Sequence, residues 1–329
     1  MTLPLLPADI ELNTVYTARA ETFLTTRPLN QFYPATPTMS ALRAHKKEED
    51  GGDFLVCPVQ VGLEPVGIWY RKAQQFGLHA KDPITQARYE WSFLEEPIVI
   101  YHQDERKANG TAKKLSLVDA MTQSAMDRIK RKLATAIYAT SPEAHELQGL
   151  RVACSTSTGT TYGGISATTY TWWDNYRHTS GTVFASQGPT RMAAAFDELA
   201  RLPGMAPTEI FTTASIYESY EALAVGATQM TRPTTQGAGE QGADLGYPHL
   251  WYRGVPVYID HYCPSGTMWF LNHDAIQLVE MAGGAFTLNP GGFQYTVVNG
   301  LMARVAVLRW EGQLGTYCRK GVGVISAIT

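Results

Sequence analysis

The stretch Ser116–Ala139 constrains the fold most, because it reads as one long amphipathic helix. Leu117, Met121, Ala125, Ile129, Leu133 and Ile137 recur at every fourth residue, with Val118 and Ala136 beside them. That spacing lays a single apolar stripe along one face. Ser116 is placed to cap the first turn, with Asp119 three residues on to reach back to its amide. Asp127, Arg128, Lys130, Arg131 and Lys132 mostly fall off the stripe, and Pro142 prevents continuation. A rod of roughly 34 Å is expected, about twice an average globular helix. A lone helix of that length among strands needs a large sheet to lie against. Taken by itself, it also fits an ordinary core helix of an α+β domain.

The rest of the chain supplies strands. Its 29 Gly and 18 Pro punctuate short segments containing 17 Tyr, 11 Phe and 7 Trp. With 329 residues, 44% hydrophobic, the chain is long enough for two cores. A net charge of −3 gives no general polyanion-binding character. No apolar run reaches the ~18 residues that span a bilayer, and the N-terminus has no signal-peptide pattern. Cys57, Cys154, Cys263 and Cys318 form no C-x-x-C pair, so they indicate neither zinc nor a disulfide framework.

Residues 1–52 read as an arm. A short helix is expected over 8–24, followed by prolines that keep the chain extended and by the charged hinge Lys46–Gly52. An arm with apolar residues it cannot bury lies on another surface or stays a disordered terminus. Residues 53–104 read as a long two-stranded excursion. Phe54–Val56 and Val66–Tyr70 form the outgoing limb, Asp82-Pro83 the tip, and Ala87, Tyr89, Trp91 and Phe93 alternate on the return. Such a ribbon is marginal alone, so its aromatic side needs a partner chain. Helices are expected at Pro189–Leu202 and Ile216–Val225, the second capped by Ser215. Strands are expected at 209–213, 250–252, 255–259, 268–271, 293–298, 301–310 and 317–325. Residues 228–246 form a polar, Gly-rich loop.

Chemical motifs are sparse. Thr158–Gly164 is glycine-rich but lacks the lysine of a nucleotide-binding loop. His249, His261 and His273 are evenly spaced, with Asp260 and Asp274 beside two of them, but no metal motif joins them. The basic clusters are short and mixed with acids, fit for non-specific phosphate contact at most. No nucleophile elbow is present. The reading therefore expects no catalytic, cofactor-binding or metal-ligating residues and no enzyme activity.

Two stretches resemble the major capsid proteins of tailed bacteriophages, the Hong Kong 97 fold family. One is Tyr89–Phe93, Pro97–Ile100 and the helix from Ser116. The other is Trp251–Val257, the turn Cys263–Gly266 and the strand Met268–Asn272. The resemblance implies an α+β fold. Its layout would be an N-terminal arm (1–52), an extended loop (53–104), a peripheral domain with a spine helix (105–150), an axial domain (151–280) and return strands of the peripheral domain (281–329). It implies a structural protein of the virion, assembled in the host bacterial cytoplasm. Its copies would build hexamers and pentamers of a shell around double-stranded DNA, contacted non-specifically. Portal, scaffolding and decoration proteins are the further implied partners, with no membrane and no cofactor. Some members cross-link a loop lysine to another subunit. Lys72 and Lys81 lie in that region, but no matching asparagine or carboxylate motif accompanies them. No long charged segment precedes the arm, so a separate or already removed scaffold is expected. An encapsulin-like compartment shares the fold. A soluble α+β enzyme using His261 and His273 is the remaining alternative.

Overall fold

A computed structural model describes residues 36–61, 69, 72, 84–107, 111–143, 145–226, 250–298 and 301–329. The expected helix at 8–24, the limb at 66–70 apart from Trp69, the tip at 82–83 and the loop at 228–246 lie outside them. So does the side chain of Ser116, and with it the expected cap. The chain divides into two compact units.

The described part of the first unit comprises Leu94–Arg131 and Phe286–Trp310. It holds most of β4 (Ser92–Tyr101), helix α2 (His102–Lys107) and much of the long helix α3 (Thr111–Ile137). The helix has 27 residues, so it is about 40 Å long. It starts five residues before the expected Ser116, because Thr-Ala-Lys-Lys-Leu contains mostly strong helix formers. Ala125 and Ile129 of the stripe are buried here, and Arg128 reaches across to Glu96 Oε1 at 2.5 Å. Strand β13 (Gln294–Val298) pairs antiparallel with the start of β14 (Leu301–Thr316), Val298 opposite Leu301 and Gln294 opposite Val305.

The second unit comprises Pro34–Phe93, Lys132–Ala285 and Glu311–Thr329. Its centre is a six-stranded sheet ordered β7-β15-β11-β8-β10-β9. These strands are β7 (Tyr176–Thr179), β8 (Glu209–Thr212), β9 (Leu250–Tyr252), β10 (Val255–Ile259), β11 (Met268–Leu271) and β15 (Gly323–Ser326). All four residues of β11 are buried, as expected where both faces are covered. Met268 and Phe270 meet Met192, Ala195 and Leu199 of helix α4 (Phe184–Leu199) and Ile216 and Tyr217 of helix α5 (Ala214–Gly226). Trp269 is buried with its ring 5.8 Å from that of Tyr138.

Helix α4 corrects the expected start at Pro189. It begins at Phe184, with Pro189 inside. Burial of the Phe184 side chain in the core outweighs the hydrogen bond that the proline cannot donate. The Phe184 ring lies over Gly188, where a Cβ would come within 2.5 Å of it. The position therefore admits only glycine without a shift of the ring. Gly149 has a similar role after α3, since a Cβ there would meet the Ile137 carbonyl oxygen at 2.3 Å.

A third correction is β12 (Ile276–Leu288), which the sequence pattern does not announce. Its first part belongs to this unit. Glu280 on it is fully buried, and β1 (Lys47–Glu49) runs parallel beside it. A carboxylate there is tolerable only when paired. Arg43 Nε lies 3.3 Å from Glu280 Oε1 and Lys46 Nζ 2.7 Å from Oε2. The hydrogen bond to Glu280 is the main reason the Lys46 pKa is raised above 10.5. Lys46→Met should cost about 2 kcal/mol in urea unfolding, because the buried Glu280 carboxylate loses its ammonium partner. A raised lysine pKa stabilises fully below its unfolded value and loses that contribution as pH rises through its folded value. The difference between wild type and variant should therefore stay level from pH 7 to about 10 and shrink above.

Candidate assembly surfaces

Among the described residues, no metal-ligating group joins His261 to His273. His249 lies outside the described residues. Asp260 is buried, accepting from the amides of Tyr262 at 2.8 Å and Thr38 at 3.3 Å. Burial pushes its carboxyl above the usual range. It thus ties the helix α1 (Pro37–Ala44) to the turn after β10, a structural task. His273 is also buried, but its neighbours are His45 and Glu209 rather than His261. Neither His45 nor Glu209 was legible as a partner, since they lie far from His273 and from each other in sequence. Burial, followed by the nearby His273, pulls the His45 pKa down, so its ring favours the neutral form.

The cysteines and the glycine-rich loop are likewise structural. Cys57, Cys154 and Cys263 are buried; burial pushes the Cys57 thiol up to about 11, that of Cys263 to about 12 and that of Cys154 further. Thr158–Gly164 supplies the first strand and the turn of a tight hairpin, β5 (Thr161–Tyr162) to β6 (Ile165–Ser166). Gly163 and Gly164 turn it at φ of 60° and 76°. Its backbone faces the protein: the Gly163 carbonyl accepts from Arg88 N at 3.0 Å.

The exposed apolar side chains are concentrated on strands. In the second unit, β2 (Leu55–Gln60) pairs antiparallel with β3 (Ile84–Tyr89), Leu55 opposite Tyr89 and Gln60 opposite Ile84. This is the base of the expected ribbon, although the strand expected at Phe54–Val56, the first part of the outgoing limb, spans Leu55–Gln60. Alternation works as the period-two rule requires. Leu55, Cys57, Val59, Ala87 and Tyr89 are buried, while Val56 and Ile84 face outward. Cys57 packs against Gly315, where a Cβ would come within 2.9 Å of its sulfur. Beyond the paired base, Trp69 is 100% exposed. Lys72 is exposed nearby in sequence, and Lys81 lies outside the described residues. The return alternation holds through Trp91, which is buried, but Phe93 points out at 61% exposure.

In the first unit, the β13–β14 pair presents Tyr295, Val297 and Met302, each at least 60% exposed. Val297 and Met302 are directly opposite each other, so they form one continuous ridge. The Arg304 guanidinium lies over the rings of Phe293 and Tyr295, 5.4 Å from each centroid. Surface strands lined this way suit pairing with another protein surface.

At the level of sequence, no family model matches the chain and no curated protein matches it. Its backbone does match solved structures over nearly its whole length. A chain of the cyanophage A-1(L) capsid asymmetric unit superposes with a TM-score of 0.68 at 17% identity, covering 98% of this chain and 100% of that one. A chain of the capsid of a native GTA particle gives 0.59 at 12% identity, covering 94% and 95%. The holo-SrpI encapsulin complex from Synechococcus elongatus gives 0.59 at 10% identity, covering 95% of each chain. Identities this low establish architecture, and the architecture expected from the sequence is borne out: the chain has the α+β, Hong Kong 97-type fold of phage capsid and encapsulin shells.

Proposed function

We propose that this chain is a major capsid protein. Its copies form hexamers and pentamers of an icosahedral or prolate shell that encloses double-stranded phage DNA. The observation that carries this reading is the correspondence with a chain of the cyanophage capsid asymmetric unit over 98% of this chain and 100% of that one. The exposed strand ridges support it, because self-association would cover them. In this reading residues 1–52 are the arm, 53–104 the extended loop, 105–150 the peripheral domain with the spine helix, 151–280 the axial domain and 281–329 the return strands of the peripheral domain. The role is architectural rather than enzymatic. DNA is held through backbone charge without sequence readout, and portal, scaffolding and decoration proteins complete the virion.

The encapsulin likeness favours a second reading, a cellular compartment shell with protein cargo. Expression of the full chain, size-exclusion chromatography and electron microscopy test both. Shells should elute as capsomers or megadalton particles of the 36.2 kDa chain. Nuclease-protected DNA in particles from infected or lysogenic cells supports the capsid reading, and a co-purifying protein cargo without DNA supports the compartment. A monomer at every concentration overturns both.

A further inference from the structure

Three residues far apart in sequence converge inside the second unit. His45 follows α1, Glu209 opens β8 and His273 lies in the turn after β11. One ligand atom from each lies within 4.8 Å of the other two. The His273 ring is more than nine-tenths buried, with 8% of its side chain exposed, and its Nε2 stands 3.1 Å from Glu209 Oε2. Yet neither His273 nitrogen nor that Glu209 oxygen has a hydrogen-bond partner. The 3.1 Å approach has ion-pair distance without hydrogen-bond geometry, and it counts as a charge pair only if the ring is protonated.

Buried polar atoms are nearly always satisfied. A neutral imidazole has one lone-pair nitrogen, and an Nε2 lone pair facing a bare carboxylate oxygen at 3.1 Å is satisfied by an electron-pair acceptor held between the two. A separation of 3.1 Å between Nε2 and Oε2 is close to the ~3.3 Å expected between two ligands on one tetrahedral zinc. His45 completes the set. Its ring stacks on His273 with centroids 4.1 Å apart and planes 20° apart. His45 is exposed, so its ring is free to turn one nitrogen toward the other two donors. Two imidazoles and one carboxylate are a donor set that suits zinc and its neighbours in the transition series and not calcium or magnesium. The carboxylate halves the charge of a divalent ion, and Asp274 adds a further negative field at His45.

We propose that His45, Glu209 and His273 bind one divalent transition-metal cation, zinc by preference, with water in the fourth position. The ion would fasten the segment after α1 to the ends of two central strands, β8 and β11. His45 belongs to the segment read as the arm (1–52), so the metal would brace the described end of that segment against the central sheet. The site stands on its own geometry and holds whichever shell reading is correct.

The test uses the full chain, stripped with chelator and dialysed, with zinc chloride titrated by calorimetry and cobalt chloride followed by visible absorption. One zinc per chain is expected, with cobalt absorption bands of tetrahedral type and a rise in unfolding midpoint on the order of 3 °C at saturation. His45→Ala should weaken zinc binding by about 100-fold or more, beyond the loss typical when a residue that only orients a ligand is removed. Because His45 is exposed, the metal-free unfolding midpoint of that variant should match wild type, separating lost binding from lost folding. Glu209→Gln should weaken binding comparably while retaining an oxygen in place. No zinc uptake at millimolar concentration, or equal affinity in wild type and His45→Ala, overturns the proposal.

Discussion

Arg319→Met should lower the free energy of unfolding by about 4 kcal/mol, the largest loss expected from any single substitution considered for this chain. The side chain is 1% exposed and has no carboxylate partner among its hydrogen bonds. Its charge is spread instead over oxygens of three segments. Nε donates to the Ala153 carbonyl at 2.7 Å; Nη1 donates to the carbonyls of Thr160 at 3.0 Å and Trp173 at 3.3 Å. Nη2 donates to the Val152 carbonyl at 3.2 Å and to Thr160 Oγ1 at 2.7 Å. The guanidinium also lies over the Tyr162 ring, 5.4 Å from its centroid. Burial lowers the Arg319 pKa, with the fields of Tyr162 and Cys154 opposing it. Methionine fills the space but removes all five hydrogen bonds; the Thr160 carbonyl keeps the Ala167 amide at 3.3 Å, and each acceptor left bare and buried costs about 1–3 kcal/mol before water and relaxation recover part. Arg319→Lys should recover only part of the loss, because one ammonium cannot reach five oxygens in a planar fork. Urea unfolding below the assembly concentration measures both variants, since association would mask the change. A methionine variant within about 1 kcal/mol of wild type would show that these segments do not depend on the pin.

The second large effect concerns assembly. Replacing residues 62–82 with a short glycine-containing turn should leave the monomer's unfolding midpoint unchanged and abolish shells. Sequence alone suggests a wider cut, 60–90. That cut would remove all of β3, including Ala87 and Tyr89, whose buried side chains hold the hairpin to the body. The narrower cut keeps every β2–β3 pair from Leu55–Tyr89 to Gln60–Ile84. It removes the fully exposed Trp69. Circular dichroism and thermal unfolding report on folding, and electron microscopy on particles. Normal shells from a folded truncation would exclude this excursion from the contacts that close the shell.

The long helix, the strands at 250–252, 255–259 and 268–271, and the base of the ribbon were legible because each has a clean period and flanking turn residues. β12 was not, because its apolar residues do not alternate and it carries Glu280 and two glycines. A carboxylate reads as surface until Arg43 and Lys46, more than two hundred residues earlier, are brought against it. β14 was expected to stop at Trp310, yet it continues through Glu311-Gly312-Gln313-Leu314-Gly315 to Thr316. Gln313 is buried there because its amide donates to the Glu90 carbonyl at 2.8 Å and Ser92 Oγ at 3.0 Å. Gly315 leaves room for Cys57. The meeting of His45, Glu209 and His273 has no local signature either, as each residue sits in a segment whose pattern is set by other neighbours. The exposed apolar side chains were only partly legible: of the aromatic return residues expected to need a partner chain, Tyr89 and Trp91 are buried within this chain and Phe93 alone is exposed, while the Val297–Met302 ridge read as ordinary strand.

The order of the central sheet has a consequence for biosynthesis. β15 lies between β7 and β11, paired parallel to the first and antiparallel to the second. A ribosome that has just released Thr179 must still polymerise 144 residues (323 − 179) before Gly323 exists. At ordinary translation rates this takes on the order of 10 s. For that interval the nascent polypeptide carries an open gap in its principal sheet. Closure waits for β15, so a partly made chain cannot complete this sheet.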